Sequence, residues 1–148
     1  MTIEMKYYSG IGSRDTPPEV LEYMTQRARL FEDQGYTLRS GGAKGADRAF
    51  ARGTQRRRIY RPDYVNQAAM DIAEKYHPNW KACSDYARRL HARNAFILLG
   101  RKLDTPSEFC MCWTPGGKVV GGTGQALRMC PDYGIEIINL GAARELTY

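Results

Sequence analysis

The residues of this 148-residue chain best suited to chemistry fall into three glycine-rich clusters and one polar pair set in an apolar helical stripe. The first cluster is Gly10-Ile11-Gly12-Ser13-Arg14. Small residues here let a ligand approach the backbone closely, the Ser13 hydroxyl can hydrogen-bond, and Arg14 offers a guanidinium fork that suits a phosphate. Asp15 stands where a dinucleotide fingerprint would carry its third glycine, so this is not G-x-G-x-x-G. The second cluster is Ser40-Gly41-Gly42-Ala43-Lys44-Gly45-Ala46-Asp47. Amides in such a turn can point at an anion, and a helix starting there adds the positive end of its dipole. No Gly-Lys-Ser/Thr follows at Walker A spacing. Asp47 reads either as a carboxylate capping the helix start or as a contact to a ribose.

The third cluster runs Trp113-Thr114-Pro115-Gly116-Gly117 and resumes at Gly121-Gly122-Thr123-Gly124-Gln125. Its second half opens a helix, so Gly122 and Thr123, next to Gly121, can present amides and a hydroxyl to a phosphate, with Trp113 as a stacking partner for a base. Any one of these loops could simply be a turn that needs positive φ. Three at one edge of a sheet point to a binding site. The polar pair is Arg93-Asn94, three and four residues after Leu90 on the stripe that Leu90, Ile97 and Leu98 mark. A cation on an inward stripe needs a counter-charge, either a structural carboxylate or a bound phosphate.

Positioning these clusters requires alternating strands and helices. Strands are predicted over 6–11, 36–40, 58–60, 108–113 and 135–140. The first helix is predicted to start in a capping box of Thr16, Pro17 and Glu19. It should carry Val20, Leu21, Met24, Ala28 and Phe31 as its apolar stripe and stop at Gly35. Further helices are predicted over 46–52, 64–75, 84–99 and 123–133, with the last eight residues a tail. This alternation predicts an α/β fold: a Rossmann-like, doubly wound, mainly parallel five-stranded sheet of order 3-2-1-4-5 with helices on both faces. One domain is expected over 1–148, with its core at about 7–140. The winding reverses between the first and fourth strands. Ligands bind at the carboxyl ends of the strands at such a point, where the three clusters would meet.

Composition narrows the function further. A chain that is 43% hydrophobic and 26% charged has globular rather than disordered proportions. Its apolar runs are too short to span a membrane, and the start of the chain lacks the pattern of a signal peptide, so a cytoplasmic location is expected. The net charge of +6 favours anionic partners. The excess lies in Arg52, Arg56, Arg57, Arg58 and Arg61, and again in Arg88, Arg89, Arg93, Arg101 and Lys102. With Tyr60 and Tyr64 alongside, the first group is either a solvated basic face or a nucleic-acid surface. Cys83, Cys110, Cys112 and Cys130 form no CxxC pair, and His77 and His91 stand apart. Free, buried thiols are expected, with no metal and no cofactor.

The combination of Ser-Gly-Gly-Ala-Lys-Gly-Ala-Asp at 40–47, Arg93-Asn94 within a helix, and Gly-Gly-Thr at 121–123 resembles the SLOG superfamily. That group includes the Rossmann-like domain of the DNA-processing protein A (DprA) family and the LOG-type phosphoribohydrolases. The likeness spans about residues 7–140 and is nearest to small stand-alone DprA-like proteins of bacteriophages. In LOG enzymes an arginine in a helical Arg-Lys pair and a glutamate just after the Gly-Thr turn serve glycosidic cleavage. The resemblance puts the arginine at Arg93, here followed by Asn94 as in the DNA-processing group, and the glutamate position at Gln125. These two are the catalytic candidates. An amide can neither act as a general base nor stabilise an oxocarbenium ion as a carboxylate does. The resemblance therefore implies binding of a nucleotide or nucleotide-derived signal without catalysis, such as sequestration of a host defence signal by a phage protein. The alternatives are a nucleoside-phosphate hydrolase of LOG type and a single-stranded DNA binder of DprA type with a dimerising surface, hence a homo-oligomer.

Overall fold

Consecutive residues are buried along the central strands β1 (Lys6–Gly10), β2 (Tyr36–Ser40) and β4 (Phe109–Cys112), so the sheet is covered on both faces. The computed structural model describes residues 5–142. Most of the expected tail, and the start of the chain on which the signal-peptide expectation rests, lie outside the described residues. With β3 (Arg57–Ile59) and β5 (Glu136–Asn139) they pair in parallel in the order β3-β2-β1-β4-β5. This is the doubly wound, Rossmann-like arrangement expected from the sequence.

Side chains two apart share a face. Tyr8, Leu38 and Met111 pack with Met24, Ala28, Phe31 and Phe50 beneath α1 (Pro18–Asp33) and α2 (Ala46–Arg52). Cys110 and Cys112 lie on the opposite face, against Phe96, Leu98 and Leu127 of the layer formed by α3 (Gln67–Tyr76), α4 (Asp85–Leu99) and α5 (Gly121–Met129). Ser9 looks the same way, its hydroxyl donating to the Ile97 carbonyl at 2.8 Å. Cys110, Cys112 and Cys130 are buried free thiols. Hydrogen bonds from Cys112 and Cys130, and then burial, push the Cys110 thiol up, so it stays protonated. Among the described residues no helix is long and apolar enough to cross a membrane.

Three helices differ from expectation at their ends. The capping box at Thr16 does not form, because Pro17 precedes another proline and is held extended (φ −59°, ψ 149°). Pro17 is therefore the residue flanking α1, its carbonyl accepting from Val20 and Leu21, while the Thr16 hydroxyl donates back to Ser13 O at 2.6 Å. The helix expected over 64–75 divides into a 3-10 turn, Pro62–Tyr64, and α3. Asn66 caps α3 by accepting from Ala69 N at 2.9 Å. At the other end of the chain α5 begins at Gly121 and stops at Met129. The rest of the stretch expected to be helical, Cys130–Tyr133, is a 3-10 turn in which Pro131 has no N–H to continue the ladder.

Candidate functional site

The loops leaving β1, β2 and β4 emerge on the same side of the sheet and, with one face of α4, enclose a pocket of about 660 Å³. The first loop contributes Gly12, Ser13 and Arg14, and the second contributes Gly41, Gly42, Ala43 and, from α2, Asp47. Thr114, Gly121, Gly122 and Thr123 come from the third, and Arg93 and Asn94 from α4. Three predicted residues are not on the wall. The Ser40 hydroxyl donates to Gly10 O at 2.6 Å and ties β2 to β1. Trp113 packs against the α1–α2 core. Gln125 is wholly buried on the face of α5 that meets α3: Nε2 donates to Ala73 O at 3.1 Å and Oε1 accepts from Arg128 at 2.8 Å. A carboxylate at that position would point into the core, so the catalytic candidacy of Gln125 has no geometric basis.

The structure adds Tyr86, Leu90, His91 and Ile97 of α4 to the wall, with Pro62 and Val120 at its edges. Tyr86, Leu90, Arg93 and Ile97 recur at helical spacing, so the stripe read as core partly faces the pocket. The aromatic ring on this wall is Tyr86, which is 61% exposed.

The charges at the back of the pocket largely answer one another. Asp47 is buried, and its carboxylate accepts the Ala43 N–H at 3.1 Å. Burial pushes its pKa up to about 6, against the pull of the Ala43 amide, the Arg93 charge and the Gly41 and Gly12 amides. Asp47 thus ties the second loop to α2 and does not cap the start of that helix, which carries no side-chain cap. Arg93 donates from Nη1 to Gly41 O at 3.0 Å and Tyr60 O at 3.3 Å. Burial lowers its pKa while Asp47 raises it. Its Nε is buried without a hydrogen-bond partner among the described residues. Asn94 donates to Gly122 O at 3.2 Å and so fixes the start of α5 against α4.

Space is distributed in the same way. A Cβ on Gly12 would lie 2.6 Å from Ala46 Cβ, and one on Gly41 would lie 2.5 Å from Arg93 Nη1. A Cβ on Gly122 would meet nothing within 4 Å, and no side chain caps the first turn of α5. The open, uncompensated part of the pocket is therefore the amino end of α5, with exposed Arg14 across from it.

A second basin of about 390 Å³ lies on the same face of the sheet, beyond Tyr60. Arg39 is its buried floor, with its guanidinium 3.9 Å over the Tyr7 ring and Nη1 donating to Thr105 O at 2.6 Å. Arg58, Arg101 and Lys102 complete it, with Asp104 as its acidic residue. Both basic clusters of the sequence thus contribute to one concavity. Arg56 and Arg57 do not: they bond to the carbonyls of Glu32, Ala51 and Thr54.

No family model matches the chain, and no curated protein sequence matches it. Among solved structures the chain is similar to DNA processing protein A from Helicobacter pylori, a structure described for its single-stranded DNA binding mode. The TM-score is 0.61 at 19% sequence identity, and the match covers 91% of this chain and 64% of that one. This chain therefore spans just under two thirds of the length of that protein. A likeness at this identity shows the shared fold.

Proposed function

We propose that the pocket binds a nucleotide-type ligand through its phosphate and does not turn it over. Residues 7–140 would act as one domain in this. The observation that carries the reading is the convergence of three strand-end loops on an uncapped helix start, α5, whose Gly122 leaves open space. The phosphate sits against the amides of Gly122 and Thr123, with Arg14 and the unpartnered edge of Arg93 as cations. The base lies toward Tyr86. A helix start favours an anion by only about 0.3–1 kcal/mol. Charge-assisted hydrogen bonds of roughly 1.5–3 kcal/mol each supply the larger share. Of the wall's two carboxylates Asp47 is engaged by the Ala43 amide and Asp15 is exposed, and the position that the resemblance gives to the catalytic glutamate is Gln125, which faces the core. Binding without turnover is also what sequestration of a nucleotide-derived defence signal by a phage-encoded protein would require.

A second reading, single-stranded DNA, is favoured by the second basin. Arg39, Arg58, Arg101 and Lys102 alternate there with Tyr7 and Tyr60, a pairing of cations and rings that suits phosphates and stacked bases. The Helicobacter pylori protein of the same fold binds single-stranded DNA, which supports the same class of partner. β5 is an edge strand with Ile137 exposed, a surface on which a second copy could pair. Light scattering tests that association.

The deciding experiment is calorimetric titration with mononucleotides, ADP-ribose-type and cyclic nucleotides, and short oligonucleotides. Saturable binding of a small nucleotide supports the first reading. Binding of oligonucleotides alone, with steep salt dependence, supports the second. Release of free base from a nucleoside monophosphate, abolished by Arg93→Ala, would overturn the claim that the pocket does not catalyse.

A further inference from the structure

The two histidines that stand apart in the sequence meet in space, and they do so around the one cysteine that is not buried. α3 ends at Tyr76, and His77, which precedes Pro78, is the extended residue that follows it. The 3-10 turn Trp80–Ala82 folds the chain back, Ser84 caps α4 by accepting from Ala87 N at 3.1 Å, and His91 follows two turns later. Cys83 Sγ then lies 3.8 Å from Nδ1 and 3.5 Å from Nε2 of His77. The His77 and His91 ring centroids are 4.6 Å apart. One ligand atom from each of the three residues lies within 4.8 Å of the other two.

We propose that His77, Cys83 and His91 form a binding site for a zinc-class divalent cation at the junction of α3 and α4. A tetrahedral ion with bonds of about 2.0–2.1 Å to nitrogen and about 2.3 Å to sulfur holds its N and S ligands roughly 3.5 Å apart. Cys83 Sγ and His77 Nδ1, 3.8 Å apart, are close to that separation, and small side-chain rotations of His77 and His91 close the remainder. The nitrogens are prepared for it. Asn79 N–H donates to His77 Nδ1 at 3.0 Å, so Nδ1 carries the lone pair and Nε2 the proton. The ion takes the Nδ1 lone pair, and water replaces it on the N–H of exposed Asn79. His91 Nδ1 is buried and has no hydrogen-bond partner among the described residues, a polar atom in need of one. The thiol releases its proton as the ion binds.

The donor set of two imidazoles and a thiolate, with no carboxylate, selects zinc, cobalt and similar ions over calcium or magnesium. Three protein ligands leave a fourth position for water. His91 also lines the main pocket, so the ion sits at the pocket's edge and clamps the wall that carries Tyr86 and Arg93. The ion site is independent of which ligand the pocket takes.

The test is titration of metal-free, reduced full-length protein with Co²⁺ and then Zn²⁺, followed by absorption spectroscopy. The expected result is one equivalent of Co²⁺ per chain, with tetrahedral d–d bands and a thiolate-to-cobalt charge-transfer band that Zn²⁺ abolishes. Cys83→Ser should remove the charge-transfer band, and His77→Ala should weaken Co²⁺ binding at least tenfold, both with an unchanged circular dichroism spectrum. An octahedral spectrum without charge transfer would overturn the proposal. So would a charge-transfer band that persists in Cys83→Ser, which would place the metal on a core thiol.

Discussion

Two glycine-rich walls face each other across the main pocket, and they use their glycines for different purposes. On the β2–α2 side the amides bind Asp47, the space over Gly41 is filled by Arg93, and Gly45 approaches the backbone of the first loop with φ +87°. On the α5 side the first turn carries no side-chain cap, and Gly122 borders open space. A glycine-rich loop can therefore serve the protein's own packing as readily as a ligand. What distinguishes the two is whether its amides and its missing side chain are already answered from within.

The largest expected contrast is in stability. Gly45→Ala puts a Cβ 2.9 Å from Ser13 O at positive φ. It should cost about 2–4 kcal/mol, combining backbone strain with overpacking. Gly122→Ala should stay within about 0.5 kcal/mol. Urea denaturation of both variants checks this, and equal losses would erase the distinction.

The next effect follows from Asp47, whose pKa is pushed up to about 6 by burial, against an ordinary value of 3.8. Between about pH 4 and 6 the folded chain binds more protons than the unfolded one, so this residue makes stability fall as pH rises through that window. The size should be on the order of 2–3 kcal/mol. Measured as the difference between the wild type and Asp47→Asn, that slope isolates Asp47 from the other carboxylates. The same proton removes a negative charge beside the pocket. A phosphodiester, which does not itself titrate there, should therefore bind more tightly as pH falls through about 6.

A smaller effect tests Arg93, the α4 cation that bonds to the β2–α2 wall. Arg93→Ala should weaken nucleotide binding about tenfold, or roughly 1.4 kcal/mol. It should also lower stability, because Gly41 O loses its donor and Asp47 its nearby charge. Arg14→Ala, at an exposed position, should weaken binding with no change in stability.

Much of this is legible in the sequence because period and punctuation are local. Helical crossovers between short apolar strands imply the parallel order, and glycines at strand ends imply where the loops gather. What the sequence hides depends on long-range contacts. Gln125 follows a Gly-Thr turn as a catalytic residue would, but only the packing of α5 on α3 shows that it faces Ala73. Trp113 stands beside a glycine-rich loop, as a base-stacking ring would, yet it closes the α1–α2 core. Tyr86 escapes sequence reasoning because its stripe reads as wholly interior. His77 and His91 lie on different elements, and no spacing rule anticipates the turn that brings Cys83 between them.

The most direct test of the central claim is calorimetric titration of Gly122→Val with whichever nucleotide or oligonucleotide binds the wild type. Beyond its chain neighbours and its own helix turn a Cβ at this position meets nothing within 4 Å, so the variant should fold, and its melting temperature is read beside its affinity. Its branched side chain would stand where the phosphate approaches the α5 amides, and affinity should fall at least tenfold. Undiminished binding by both Gly122→Val and Arg93→Ala would mean that the ligand does not use the start of α5 and that the site lies elsewhere on the chain.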